Sequence, residues 1–266
     1  MNQIRYQQVT SKIILLLGLF CMDAEVIAKD GDFKLSVGTE YTTGEYGGTE
    51  SVDEWYVPVT GKYTTDRWAL RLTVPYIRVS AASGTTLTAG PDGEIIASSG
   101  GERVAESGLG DIITSLTYYD IVNAGTSGLV VDLIGKIKFG SADEDKGLGT
   151  GETDFKAQLN LFKVYGNFIP FGSIGYTLRG DPPNTNFNNV LSGSMGVEYR
   201  YTSWVNTGVD FYFREASLPG SAEQREMTAY ADWKLEDKRK LRGYLLRGLS
   251  NGSPDWGVGL MATFAY

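Results

Sequence analysis

The segment DWGVGLMATFAY, Asp255–Tyr266, carries the alternation that determines the fold. From Trp256 onward every second residue is apolar, and most residues between them are glycine, threonine or alanine. Successive side chains of a β-strand point to opposite faces, so this alternation predicts a strand with one apolar face.

The same period of two recurs from residue 33 to the end of the sequence. It is clear at 33–41, 67–79, 129–139, 153–161, 204–214 and 224–236, and weaker near 53–63, 108–120, 168–179, 189–201 and 240–250. With the segment quoted above, these predict twelve strands. A tilted strand needs ~9–11 residues to cross a bilayer, which matches the length of most segments.

The predicted connections alternate between short and long. Short ones fall at 64–66, 166–167, 202–203 and 237–240, an intermediate one at 120–128, and long ones at 42–52, 80–107, 140–152, 180–189, 215–223 and 250–255. Because lipid offers the backbone no hydrogen-bond partner, a sheet in a membrane must close on itself. We therefore predict an all-β, transmembrane, antiparallel up-and-down β-barrel of about twelve strands, with short periplasmic turns and long extracellular loops. A secreted β-sandwich with one wet face has the same period and is the alternative.

The N-terminus predicts a secretory signal peptide over residues 1–28. Arg5 and Lys12 precede an apolar run over 13–22, and small or β-branched residues lead to Ala28. This layout is that of a cleaved export signal rather than a membrane span. We expect Sec-type export, cleavage near Ala28, and a barrel over residues 29–266 in the outer membrane of a Gram-negative bacterium.

The five tryptophans fall at predicted strand ends. Trp55 and Trp256 lie at the outer ends, and Trp68, Trp204 and Trp233 at the periplasmic ends. Aromatic residues at both ends of membrane strands form girdles at the two lipid interfaces. We therefore predict two such girdles.

Three prolines oppose the barrel interpretation, because proline removes a hydrogen-bond donor and a closed barrel has no free edge. Pro58, Pro75 and Pro170 are therefore expected at bulges or strand ends.

The chain ends on an aromatic residue, Tyr266, with Phe264 two positions before it. This ending resembles the signal read by the barrel-assembly machinery of the outer membrane. We expect that machinery as a partner during biogenesis, and outer-membrane lipid and lipopolysaccharide as the surroundings.

The face opposite the apolar one carries charges of both signs and would point into the lumen. Such residues either line a narrow aqueous path or pair across strands and fill the barrel, and both are feasible at about twelve strands. The predicted lumen-lining residues are Arg71, Asp132, Lys136, Lys138, Lys156, Arg179, Arg200, Asp210, Tyr212, Arg214, Asp232 and Lys234, with Glu40, Asp111, Asp154, Glu198 and Glu226 as further acids on this face.

The composition argues against several function classes. Outer-membrane hydrolases use histidine as a general base, and the sequence contains no histidine. The net charge of −8, with no basic patch, argues against nucleic acid as a partner. The acidic segment 141–154 could hold a hard cation such as Ca²⁺, but a solvated loop is favoured, and no metal or cofactor site is predicted.

Several stretches resemble a bacterial outer-membrane "transporter" family named for a meta-pathway (MetA-pathway) of phenol degradation. They are YGGTESVDEWYVPVTGKY (46–63), WALRLTVPYIRV (68–79), SGLGDIITSLTYY (107–119), KIKFGSADEDKGLGTGETDF (136–155) and LSNGSPDWGVGL (249–260). The resemblance implies a barrel of this size and a role in moving small solutes, aromatic or hydrophobic ones among them, with no established binding residues. We thus expect a passive channel and not an enzyme. The alternatives are a closed structural or surface-interaction barrel and, less favoured, a histidine-free membrane hydrolase.

Overall fold

The alternating segments pair edge to edge into one antiparallel sheet that closes on itself. The computed structural model describes residues 31–88, 93–97, 101–122, 128–183, 185–236 and 238–266, so the predicted signal peptide and its cleavage point lie outside the described residues. The strands are β1 (Asp32–Gly44), β2 (Val52–Thr64), β3 (Trp68–Ala82), β4 (Thr86–Thr88), β5 (Glu94–Ile96), β6 (Arg103–Leu109), β7 (Ile113–Tyr118), β8 (Leu129–Lys138), β9 (Asp154–Lys163), β10 (Phe168–Leu178), β11 (Val190–Arg200), β12 (Val205–Arg214), β13 (Gln224–Glu236), β14 (Arg239–Gly248) and β15 (Trp256–Ala265).

Each strand of the barrel pairs with its neighbours in the chain, and β15 pairs with β1 to close it. β6 and β7 share one position beside β3, and β4 with β5 forms a separate hairpin in the loop after β3. The barrel therefore has twelve strand positions, and the predicted up-and-down barrel is confirmed. The β-sandwich alternative is wrong, because a closed sheet leaves no second sheet to pack against.

The connections gather at two ends of the barrel, which we name the turn end and the loop end. The turn end carries residues 65–67, 119–122, 128, 164–167, 201–204 and 238, and the loop end carries 45–51, 83–88, 93–97, 101–102, 139–153, 179–183, 185–189, 215–223 and 249–255. The predicted hairpin at Gly166 is confirmed, since Tyr165 and Phe168 exchange backbone hydrogen bonds of 2.8 and 3.0 Å across it. Among the described residues, no helix is long and apolar enough to cross a membrane.

The outer wall of the barrel is apolar, and its inner wall is largely polar. Large apolar side chains such as Met195, Val209, Met227 and Leu245 remain exposed on the outside. Monomeric soluble proteins rarely expose continuous apolar patches, so a wall of this kind fits lipid rather than water.

The tryptophans lie at or near strand ends. Trp55 and Trp256 lie at the loop end, where the ring of Tyr41 packs between them at centroid distances of 5.1 and 5.5 Å. Trp68 and Trp204 lie at the turn end and are exposed, and Trp233 lies a few residues from the turn end of β13. That these two belts meet the lipid interfaces stays a prediction.

A break separates β7, which covers the middle of the predicted strand 108–120, from β6, most of which lies in the predicted loop 80–107. Gly110, Asp111 and Ile112 lie opposite only two residues of β3, so the wall bulges by one residue there. The bulge adjoins Pro75, whose carbonyl accepts a 2.9 Å hydrogen bond from Gly110 N–H. The expectation that prolines mark irregular wall is thus met at Pro75.

The other two prolines, Pro58 and Pro170, do not lie beside this bulge. Pro170 is the third residue of β10, near the turn end. Pro58 lies inside β2 directly opposite Pro75, and the β1–β2 ladder is interrupted beside it, passing from Val37↔Val59 to Glu40↔Tyr56. Strand β2 therefore continues through Pro58, although proline has no backbone N–H to donate.

The seam between β1 and β15 runs over ten register pairs, from Lys34↔Ala265 to Thr43↔Trp256. At its end Tyr266 N–H donates a 2.9 Å hydrogen bond to Phe33 O, and the two rings lie 6.1 Å apart. Phe264 is opposite Leu35 in the same seam. The role of Phe264 and Tyr266 as an assembly signal stays a prediction.

Candidate functional site

The lumen contains a polar cavity of about 500 Å³, which we call the main cavity. It is lined by side chains of most barrel strands and, toward the loop end, by residues of the loops after β1, β3 and β14. A smaller cavity of about 160 Å³ adjoins it. The volume of the main cavity is in the range of small-molecule sites in proteins.

The two cavities share five lining residues: Glu40, Arg71, Lys136, Tyr244 and Met261. Tyr244 Oη donates a hydrogen bond to the Glu40 carboxylate, which holds both side chains in place. Charged groups of both signs therefore lie where the two cavities adjoin.

Two tyrosines are fixed by the same arrangement, in which a glycine leaves room for a ring. The ring of Tyr244 lies over Gly259, at a place where a Cβ atom would collide with it, and reaches Glu40. The ring of Tyr230 likewise lies over Gly208 and reaches Glu198, with an Oη to carboxylate distance of 3.4 Å. Each tyrosine thus spans three strands, which stiffens the lumen wall.

Arg242 lines the main cavity, but its guanidinium is bound to other side chains of the barrel wall. Its guanidinium donates two 2.7 Å hydrogen bonds to Asp232 and stacks on the ring of Tyr230 at 4.4 Å. Lys240 makes a second ion pair with Asp232, at 2.9 Å. The bidentate geometry is the strong form of this interaction.

An apolar cluster lies inside the loop end, contrary to the expectation of a polar inner face. It comprises Val52, Tyr56, Ile77, Val79, Ala81 and Leu148, with Tyr46, Ile95, Ala97 and Ala142 packed against it. Leu148 comes from the loop 139–153 and is fully buried, and a Cβ atom at Gly108 would lie 2.9 Å from its Cδ1. The inner wall is apolar here because loops fold into the barrel and pack on it, so the cluster fills one side of the mouth.

Asp111 in the bulge anchors the same loop. It is fully buried and accepts hydrogen bonds of 3.0 Å from the backbone N–H groups of Ser141 and Ala142, and one of 2.9 Å from Lys138 Nζ. Lys138 Nζ also lies 3.4 Å from Asp154. The bulge therefore turns a carboxylate toward the loop and fixes the loop's first residues.

The acidic segment 141–154 is partly folded rather than fully solvated. Asp143 pairs with Lys146 at 2.8 Å, and this hydrogen bond lowers the pKa of the Asp143 carboxyl. Within the described part of the chain, no group of three or more acidic, histidine or cysteine residues could hold a metal ion.

The structure distributes the predicted lumen residues over several settings. Arg71, Lys136, Asp210 and Tyr212 line the main cavity. The others lie elsewhere on the inner side. Lys138 and Arg179 belong to the ion cluster around Asp154, Lys156 is buried in the wall, Arg214 is hydrogen-bonded to Gln224 at 3.0 Å, and Asp232 is hydrogen-bonded to Arg242. Near the turn end, Asp132 accepts a 3.0 Å hydrogen bond from Asp120 N–H, and Arg200 and Lys234 are exposed.

Several residues of the main cavity were not among the predicted ones, and they include Glu54, Tyr230, Arg242 and Tyr244. Those on β14 lie in RKLRGYLLRG, where apolar and polar residues do not alternate strictly. The register of the neighbouring strand indicates Arg242, which lies directly opposite the predicted lumen residue Asp232 on β13.

Comparison with known proteins identifies the fold. No protein-family model matches the chain, and no curated protein matches it by sequence. Among solved structures, the chain is similar to the COG4313 outer membrane channel from Pseudomonas putida F1, with 15% identity, a TM-score of 0.68, and coverage of 89% of this chain and 96% of that one.

Two further structures share the barrel. The KdgM porin matches with 6% identity and a TM-score of 0.52, over 88% of this chain and 99% of that one. The β domain of the Bordetella autotransporter BrkA matches with 10% identity and the same TM-score of 0.52, over 89% of this chain and 99% of that one. Likeness at such low identity establishes the fold of an outer-membrane barrel and leaves the function to the site.

Proposed function

We propose that this protein is an outer-membrane channel through which small water-soluble solutes pass passively. The observation that supports it is the polar main cavity, joined to a second cavity at Glu40, Arg71, Lys136 and Tyr244. Charged and hydroxyl groups along a lumen replace part of the hydration shell of a polar solute.

The alternative is a closed barrel with a structural or surface-interaction role. The apolar cluster around Leu148 favours it, because the cluster fills one side of the mouth. The fold does not distinguish the two functions, because the chain is also similar in fold to an autotransporter β domain, whose name does not describe a channel. The polar lining of the main cavity, part of which it shares with the second cavity, is what favours the channel.

The lining suits solutes with polar groups rather than hydrocarbons. Charged side chains make transfer of an apolar molecule into the cavity unfavourable relative to lipid. The ring faces of Tyr46, Tyr212, Tyr230 and Tyr244 could stack with an aromatic solute, provided that it also carries polar groups. Enzymatic activity is not proposed.

Planar-bilayer recording of the purified, refolded barrel tests the proposal. We expect discrete conductance steps in potassium chloride, with heat-modifiable gel migration as the control for folding. A correctly folded barrel that gives no steps would refute the channel and favour the closed barrel.

A further inference from the structure

A continuous row of cross-strand partners places three basic side chains on one wall of the lumen. Arg71 on β3 is opposite Ser115 on β7, and Ser115 is opposite Lys136 on β8. Lys136 is in turn opposite Lys156 on β9. Like charges directly opposite each other destabilise a sheet, so packing of the wall does not account for the row.

Arg71 presents the charge of this row to the main cavity. Its side chain is exposed to the lumen and lines both cavities. Its guanidinium forms no hydrogen bond or ion pair with any residue that the structure describes. Lys136 lines the same two cavities, so this wall is positive where the two cavities adjoin.

The facing wall is acidic. Asp210 on β12 and Glu226 on β13 line the main cavity, and β12 is six strand positions from β3 in either direction around the barrel. Glu40 on β1 and Glu54 on β2 also line the cavity, but on strands beside β3. Asp210, like Arg71, has no hydrogen bond or ion pair to a described residue. Each wall therefore offers the cavity at least one charge that the protein leaves uncompensated.

Arg242 does not cancel the acidity of its wall. It belongs to the acidic side, but two hydrogen bonds of 2.7 Å hold its guanidinium against Asp232, which also pairs with Lys240 at 2.9 Å. The excess of carboxylates on that side, opposite Arg71 and Lys136, produces a field across the lumen rather than along it.

We propose, on the basis of the channel function proposed above, that the main cavity selects small zwitterionic solutes, which carry a cationic group and a carboxylate at separate ends. A singly charged solute is attracted by one wall and repelled by the other. A zwitterion can place its cationic end at the acidic wall and its carboxylate at Arg71 and Lys136. One charge–charge contact at about 4 Å in water favours binding about fivefold.

Proteoliposome swelling tests the proposal with a zwitterionic dipeptide, glycylglycine, and an uncharged polyol of similar size, xylitol. The wild-type barrel should admit the dipeptide several times faster than the polyol. In the double variant Arg71→Gln/Lys136→Gln the ratio of the two rates should fall about fivefold, the factor that one such contact contributes. The acidic-wall variant Asp210→Asn should lower the ratio by a similar factor.

The matched control is Lys163→Gln/Lys238→Gln. It removes two positive charges at the turn end, at residues that lie outside this row and line neither cavity. In this control, the ratio of the dipeptide rate to the polyol rate should equal that of the wild type.

Equal rates for the two solutes in a conducting wild-type barrel would overturn zwitterion selection and leave the channel function intact. A loss confined to the acidic-wall variant would overturn it too, because it indicates attraction of cations alone. A folded barrel without conductance or swelling would overturn the channel function and this inference with it. Heat-modifiable migration of each variant verifies that it is folded.

Discussion

Leu148 offers a direct test of how the mouth of the barrel is held. Its side chain is fully buried between the wall and the loop 139–153, so Leu148→Ala removes packed atoms and leaves a cavity. Such substitutions in packed cores cost about 2–5 kcal/mol. If the loop opens as a local unit, a loss of about 3 kcal/mol raises its open fraction roughly a hundredfold.

Limited trypsin digestion measures that opening, because Lys146 lies within the loop and cleavage needs an extended segment. When opening and closing are fast, the cleavage rate follows the open population. We expect cleavage after Lys146 to accelerate by one to two orders of magnitude, and the mean conductance to rise as the apolar cluster leaves the mouth.

Leu249→Ala is the control, since it makes the same change at a residue that is half-exposed and outside the cluster. Equal cleavage rates for the two variants, with both barrels folded, would refute the claim that apolar packing holds the loop.

Two further substitutions probe the anchor and the lumen wall. Asp111→Asn should also accelerate cleavage of the loop, because breaking a buried ion pair with Lys138 costs about 3–5 kcal/mol; an unchanged rate would contradict the anchoring role. Gly259→Ala should displace the Tyr244 ring and lower the urea midpoint of the barrel, since a hydrogen bond to a charged group contributes about 1.5–3 kcal/mol. Gly135→Ala, where a Cβ atom meets nothing within 4 Å, should leave that midpoint unchanged.

The strands could be predicted from the sequence because lipid outside and water inside force a period of two on most of them. The quoted segment 255–266 is β15 within one residue at each end, and the alternation of loop lengths gave the topology. The bulge at Asp111 could not be predicted, since one extra residue leaves the alternation on both sides intact. The position of Ile77 and Val79 on the inner face could not be predicted either, because an apolar residue on that face is explained only by the loop that covers it.

The candidate site could be predicted only in part. The period of two assigns Arg71 and Lys136 to the inner face, but it does not predict which charges lie at the same level along the barrel axis. That depends on the stagger between strands, which brings Lys136 opposite Lys156 and leaves Arg71 facing carboxylates across the lumen. Single-strand patterns carry no information about this stagger.

The seam between β1 and β15 has a consequence for the order of folding. The other seams join strands that are close in the chain, the farthest apart being β3 with β6 and β7, whereas the Ser36–Thr263 hydrogen bond joins residues 227 positions apart. Closure entropy delays a contact of such high sequence separation, so hairpins form early and this seam last. Until it forms, the sheet has two unpaired edges that can bind other chains, which makes the unclosed intermediate the stage most exposed to aggregation.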